Sequence, residues 1–225
     1  MRTLVVLNPN TSVTTTRLLV GIARDAVRGL DVRIAGETAA RGPRIITDPV
    51  TLAAAAGEVV AAARRSVPLH APDALIVAAF GDPGAEAAAR ATGLPVIGIG
   101  AAAVRAAGIG GRRFAIATTT ARLETTLHSL VASAGRSEDY VGCFLTETAA
   151  EELEDPERLL AELRGAVLRA EAAGAEAVII GGGPLSAAAQ VLVAEFAGRL
   201  PIVEPIRAAV AEALLATEVA ETVPA

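Results

Sequence analysis

Short, continuously apolar runs alternate along the chain with longer Ala- and Leu-rich stretches of helical period. "TLVVL" (residues 3–7) has no polar interruption after its first residue, as expected of a strand covered on both faces. "NPNTS" follows and then a helical run to about residue 28. "DVRIA" reads as the next strand, "TLAAAAGEVVAAARRS" (51–66) as a helix and "ALIVAA" (74–79) as a strand. "GAEAAARATG" reads as a helix closed by Gly93, and "PVIGI" (95–99) as a strand.

The same succession then begins again. "RRFAIATTT" is strand plus loop, and "ARLETTLHSLVASAG" is a helix with Leu123, Leu127, Leu130 and Val131 along one face. "DYVGCFL" is a strand, and "DPERLLAELRGAVLRAEAAG" a long helix with Pro156 in its first turn. "AVIIG", "LSAAAQVLVAEFAG", "LPIV" and "IRAAVAEALLA" complete the set. "LVVLNPNTS" corresponds to "FAIATTTAR", and "ALIVAAFGDPG…GLPVIGI" to "AVIIGGGPLS…RLPIVEP". Repeated βα units imply an α/β fold: two pseudo-symmetric lobes, each a parallel sheet flanked by helices, with a cleft expected between them.

Open α/β sheets bind ligands beyond the carboxyl ends of their strands. Four turns lie at such ends: 8–12, 80–84, 118–120 and 181–185. In the first, Thr11 or Ser12 is placed to cap a helix whose free N–H groups favour an anion. Thr118 and Thr119 occupy the matching place in the second half. Recurrence at matching places favours an oxyanion site over two ordinary caps. "FGDPG" is a turn in which Asp82 is placed to cap or to ionise, capping being the commoner use. "GGGP" presents bare backbone that a ligand can approach closely, and GxGxxG is absent.

Composition narrows the chemistry. With 52% hydrophobic and 20% charged residues the chain is expected to fold, around a core of Ala, Val, Leu and Ile because aromatics make up only 2%. A net charge of -5 argues against nucleic acid as a partner. Lysine is absent, which removes Schiff-base catalysis and the P-loop lysine. The single cysteine, Cys143, removes an intrachain disulfide and a multi-cysteine zinc site, and two histidines make a His-rich metal site unexpected. Apolar runs fall short of the roughly 20 residues that span a bilayer, so no membrane partner and a cytoplasmic location are expected.

"LNPNTS", "FGDPG", "PVIGIGAAA", "GRRFAIATT" and "GAEAVIIGGGP" together resemble the Asp/Glu racemase superfamily, in its hydantoin and allantoin racemase branch. The resemblance covers nearly the whole chain. It implies a homo-oligomer without cofactor or metal that takes a small carboxylate or carbonyl compound. It also implies that the C-terminal helix returns to the first lobe, giving 1–98 plus 205–225 as one lobe and 99–204 as the other.

Racemases of this kind use two cysteines on opposite faces of the substrate, one removing the α-proton and one returning it. The resemblance puts these cysteines at Ala79 and Gly182, and neither residue transfers a proton. Cys143 matches neither place. The resemblance implies that Asn8, Thr11 and Ser12, with Thr118 and Thr119, hold the oxyanion. Ala79, Phe80, Gly81, Gly182, Gly183 and Pro184 would line the reacting face. Asp82 and Glu147 are the candidate acid–base residues, Glu147 because it lies where the racemases carry an acidic residue. Non-thiol isomerase- or lyase-like chemistry is therefore expected. The alternatives are a non-catalytic binding or regulatory protein and an inactivated racemase.

Overall fold

In the computed structural model, residues 1–153 and 155–222 are described. The chain divides into two compact units. One consists of Met1–Ile46, Val50–Ala102 and the chain from Ile206, and the other of Thr47–Pro49 and Ala103–Pro205.

The first unit is built on β1 (Arg2–Asn8), β2 (Val32–Thr38), β3 (Ala74–Val77) and β4 (Val96–Gly98). They form a parallel sheet in the order β2-β1-β3-β4. Helices α1 (Val13–Ala26), α2 (Pro49–His70) and α3 (Ala85–Thr92) connect the strands. Leu4 to Leu7 of β1 and Leu75 to Val77 of β3 are fully buried, which explains their uninterrupted apolar sequence. Val5, Leu7, Leu75 and Val77 pack with Val59, Ala62 and Ala63 of α2. Alanines on the helix let it sit close to the sheet.

The second unit repeats the plan with β5 (Phe114–Thr118), β6 (Tyr140–Leu145), β7 (Ala177–Ile180) and β8 (Ile202–Val203). Its order is β6-β5-β7-β8, again parallel. Three local features differ from the sequence expectation. Helix α2 continues to His70 with Pro68 inside it, four residues past the expected end at 66. An unexpected helix, α4 (Ile99–Ala107), begins where "PVIGI" read as the end of a strand. Helices α5 (Glu124–Ser133), α6 (Pro156–Ala172) and α7 (Ser186–Glu195) are the connections of the second sheet, and α8 (Pro205–Thr222) follows β8. As the third difference, the threonines at 118–120 do not cap a helix with their hydroxyls: a 3₁₀ turn over Ala121–Leu123 intervenes, and neither it nor α5 has a side-chain cap.

Asp155 caps α6 by accepting the N–H of Glu157, with Pro156 at the first helical position. The core of Ala115, Ala117, Val178, Ile180, Leu163, Val167 and Leu192 is aliphatic, with Phe196 as its one buried aromatic ring among the described residues.

Strand registers carry the repeat down to single positions. In the first unit Leu75, Ile76 and Val77 stand beside Val96, Ile97 and Gly98. In the second, Val178 and Ile179 stand beside Ile202 and Val203. Ala79 is thus equivalent to Gly182, and Gly98 to Glu204.

Candidate functional site

Each of the four strand-end turns is held by its own hydrogen bonds. In the first, the buried Asn8 amide donates to Asn10 Oδ1 at 2.9 Å, and to the Ser12 carbonyl and Thr16 Oγ1, both at 3.0 Å. Asn8 Oδ1 accepts the Asn10 N–H, and Asn10 Oδ1 the Ser12 N–H. Ser12 caps α1 by accepting the Thr15 N–H at 3.2 Å. Thr11 donates its backbone N–H and its hydroxyl to the Pro43 carbonyl, tying the β2–α2 connection to this turn. The donors of Asn8 and Thr11 are therefore spent on the shape of the turn.

In the second turn, Gly81 and Gly84 have positive φ and lie against α2. A Cβ on Gly84 would come within 2.6 Å of the Ala56 carbonyl oxygen. Asp82 itself has φ 51°. Its two carboxylate oxygens accept the N–H groups of Gly100 at 2.8 Å and Ala101 at 2.7 Å. Asp82 thus serves the N-terminus of α4, where a negative charge is favoured. This contact also explains α4 itself: the residue that starts it lies 17 positions upstream of its first residue, Ile99.

The third turn is anchored by Thr118, whose buried hydroxyl donates to the Gly181 carbonyl at 2.7 Å. This bond joins it to the fourth turn. Thr119 is 8% exposed, and its hydroxyl has no partner among the described residues.

In the fourth turn, Gly182 has φ 146° and Leu185 donates its N–H to the Gly182 carbonyl. The equivalent bond in the second turn runs from Asp82 N–H to the Ala79 carbonyl. Among the described residues, the N–H groups of Ala79, Phe80, Gly182 and Gly183 have no backbone acceptor. Ala79 and Gly182 are half-buried, whereas Phe80 and Gly183 are buried and Pro184 is exposed. Each turn so presents a pair of unspent donors beside a small, accessible residue. Such donors stabilise negative charge developing on a carbonyl oxygen.

Glu147 is exposed, in the connection that follows β6. That connection is fastened to α6: Glu162 accepts the Thr148 N–H at 2.8 Å, and Arg158 donates to the Thr148 hydroxyl at 2.8 Å. Hydrogen bonding from Thr148 holds the Glu162 carboxyl below the usual carboxylate range. Cys143 lies within β6, away from the strand ends. Burial, with Glu124 nearby, pushes its thiol up from 9.0 to about 12. It is not a thiolate at neutral pH.

A further carboxylate stands at a strand end, outside the residues the sequence motifs single out. Glu204 directly follows β8, is 3% exposed, and accepts the hydroxyl of Ser186 at 2.9 Å. Ser186, 1% exposed, is the first residue of α7 and follows "GGGPL". The signal that could find it is the sequence repeat, which sets Glu204 against Gly98.

No group of three metal-ligating side chains occurs among the described residues, and no helix there is long and apolar enough to cross a membrane.

Twin parallel sheets in one strand order, with backbone donors gathered at equivalent strand ends, define a duplicated α/β protein of the racemase type. The Asp/Glu/Hydantoin racemase family matches residues 4–213, and the chain belongs to it. Hydantoin racemase of Paenarthrobacter aurescens is 30% identical over 217 residues, covering 95% of this chain and 91% of its own. Allantoin racemase from Klebsiella pneumoniae superposes with a TM-score of 0.89 at 28% identity, over 98% of this chain and 89% of its own. Allantoin racemase from Pseudomonas fluorescens gives 0.87 at 24% identity, over 97% and 92%.

Proposed function

We propose that this racemase-family chain acts on a small carboxylate or carbonyl compound, of which hydantoins are the first class to test, by chemistry that uses no thiol and no cofactor. The observation that carries this reading is the pair Ala79 and Gly182. Both stand at strand-end turns of the kind that present unspent N–H donors, and neither side chain exchanges a proton. Cys143 does not replace them, because its thiol is held protonated inside β6.

In the second unit, the donors of Gly182 and Gly183 with the hydroxyl of Thr119 would hold a carbonyl or carboxylate oxygen. In the first, the donors of Ala79 and Phe80 form the equivalent cradle. Such cradles stabilise an enolate or carboxylate without themselves moving a proton. Ser12, Gly81 and Pro184 complete the proposed lining. Asn8, Thr11 and Thr118 act by holding the turns. Asp82 and Glu147 are the acid–base groups to test first, although the use of Asp82 as a helix cap favours an anchoring role. We also propose a cytoplasmic homo-oligomer.

The test is proton NMR in D₂O with hydantoins, amino acids, malonates and hydroxy acids. New products without α-proton loss support thiol-free lyase or rearrangement chemistry. Exchange at the α-carbon supports a non-thiol base, to be located with Asp82→Asn and Glu147→Gln. Binding without turnover across the panel would sink the enzymatic reading in favour of a binding protein.

A further inference from the structure

The two reacting-face turns are each tied to the start of a following helix by one carboxylate, and the two carboxylates come from opposite ends of the tie. In the first unit Asp82 belongs to the turn after β3. It reaches across to the N–H groups of Gly100 and Ala101, just past β4. In the second unit Glu204 stands just past β8 and accepts from Ser186, at the end of the turn after β7. The registers make Gly98 and Glu204 equivalent. Space shows why position 98 carries no side chain in the first unit. A Cβ on Gly98 would lie 2.1 Å from the Asp82 Cγ, so the Asp82 carboxyl occupies the place where a side chain from position 98 would start.

We infer that Asp82 and Glu204 are positioning residues that do the same thing in the two units. They hold the unspent N–H donors of Ala79–Phe80 and of Gly182–Gly183 in fixed orientation. The physical reason is that a glycine-rich turn loses more conformational freedom on ordering than any other and needs an outside anchor. A hydrogen bond accepted by a carboxylate is stronger than one between neutral groups, and here the bonds are part-buried at Asp82 and buried at Glu204. On the other flank, the Thr118 hydroxyl fixes Gly181, so Gly182 and Gly183 lie between two anchored points. This assigns Asp82 to holding the site rather than to proton transfer, and gives Glu204 and Ser186 a role. Its ligand-binding part rests on the function proposed above.

The test is residue-resolved amide hydrogen exchange on the intact protein, with titration of 5-benzylhydantoin as a second readout. Asp82→Asn is expected to speed exchange by roughly tenfold at the hydrogen-bonded amides of 82, 100 and 101, leaving those of 185 and 186 unchanged. Glu204→Gln and Ser186→Ala are each expected to do the reverse, and Ser186→Thr, which keeps the hydroxyl, to restore protection. Should Glu204→Gln not fold, Ser186→Ala breaks the same link from the less costly side. Unchanged exchange at the turn concerned, or a uniform rise across the whole chain, overturns the inference. Hydantoin affinity, where the unaltered protein binds it, is expected to fall about tenfold with each anchor lost. If the unaltered protein does not bind hydantoin, the function reading fails for that class, and the exchange pattern still decides the anchoring role. If Asp82→Asn abolishes turnover with unchanged affinity and unchanged exchange, Asp82 is a base and the inference is wrong.

Discussion

At the scale of single residues, Ala79 and Gly182, the two equivalent positions of the proposed reacting face, differ in what they tolerate. Ala79 has an ordinary backbone and is half-buried, so Ala79→Cys is expected to change stability by less than about 0.5 kcal/mol. Gly182 has φ 146°, and a Cβ there would stand 3.2 Å from Leu185 Cγ and Cδ1. Gly182→Cys is therefore expected to cost roughly 1–3 kcal/mol, read from the midpoint of urea unfolding. The double variant carries a sharper expectation. If the chain is a racemase inactivated at these positions, it should regain α-proton exchange on a hydantoin. A folded double variant without exchange would count against that alternative. Cys143 gives a prediction in pH. Its thiol is raised from 9.0 to about 12 by burial first, and Tyr140 is raised by burial as well. The folded state therefore holds these protons more tightly than the unfolded one. The stabilisation is complete below about pH 9 and is lost as pH climbs toward 12. Thermal melts between pH 8 and 11 should show this decline. They should show less of it in Cys143→Ala, and alkylation of the native thiol should remain slow until the same range.

Among the elements, those with a local signal are readable from sequence and those with a distant cause are not. Strands β1, β3, β5 and β7 are apolar runs that end in turn residues, and their burial demands that pattern. Helix α6 carries its own cap and proline. Helix α4 has no such mark, because its first residues, Ile-Gly-Ala, include no capping residue of their own; the cap comes from Asp82 in another turn. The threonine turn repeats the asparagine turn in sequence position, yet their hydroxyls have different uses. Thr118 reaches sideways to Gly181 while Ser12 caps α1. The candidate site is legible as four turns, because βα units fix where strands end. Which donors stay unspent within those turns is not legible, because that depends on bonds between distant segments. Gly84 shows the cost of one such close approach. Gly84→Ala would push a methyl into the Ala56 carbonyl at φ 71°, and a loss of roughly 2 kcal/mol or more is expected in denaturant unfolding.

For the molecule as a whole, the family scaffold is carried by a chain with a single cysteine. The family model spans residues 4–213, so the scaffold is retained almost in full. With Cys143 as its single cysteine, one chain cannot supply two thiols to a site. In the proposed site, the backbone N–H groups of the turns are the donors that a ligand would meet. A ligand that draws on backbone donors alone should bind with little dependence on pH between about 6 and 8, because peptide N–H groups do not titrate. Isothermal titration with such a ligand across that range is expected to give a constant affinity. A steep change would instead point to a titrating side chain at the site.

The reversed anchors, Asp82 against Gly98 and Glu204 against Ser186, also bear on whether one arrangement can be exchanged for the other. A unit cannot pass from one arrangement to the other by a single replacement. An acid arriving at 98 meets one already seated there, and an acid lost from 82 leaves a helix start bare. The exchange needs two coordinated changes, in an order where the small residue comes first. Gly98→Glu alone should therefore be disruptive, whereas the same change on an Asp82→Gly background should be accommodated, and the size of that non-additivity measures how far the two anchors exclude each other.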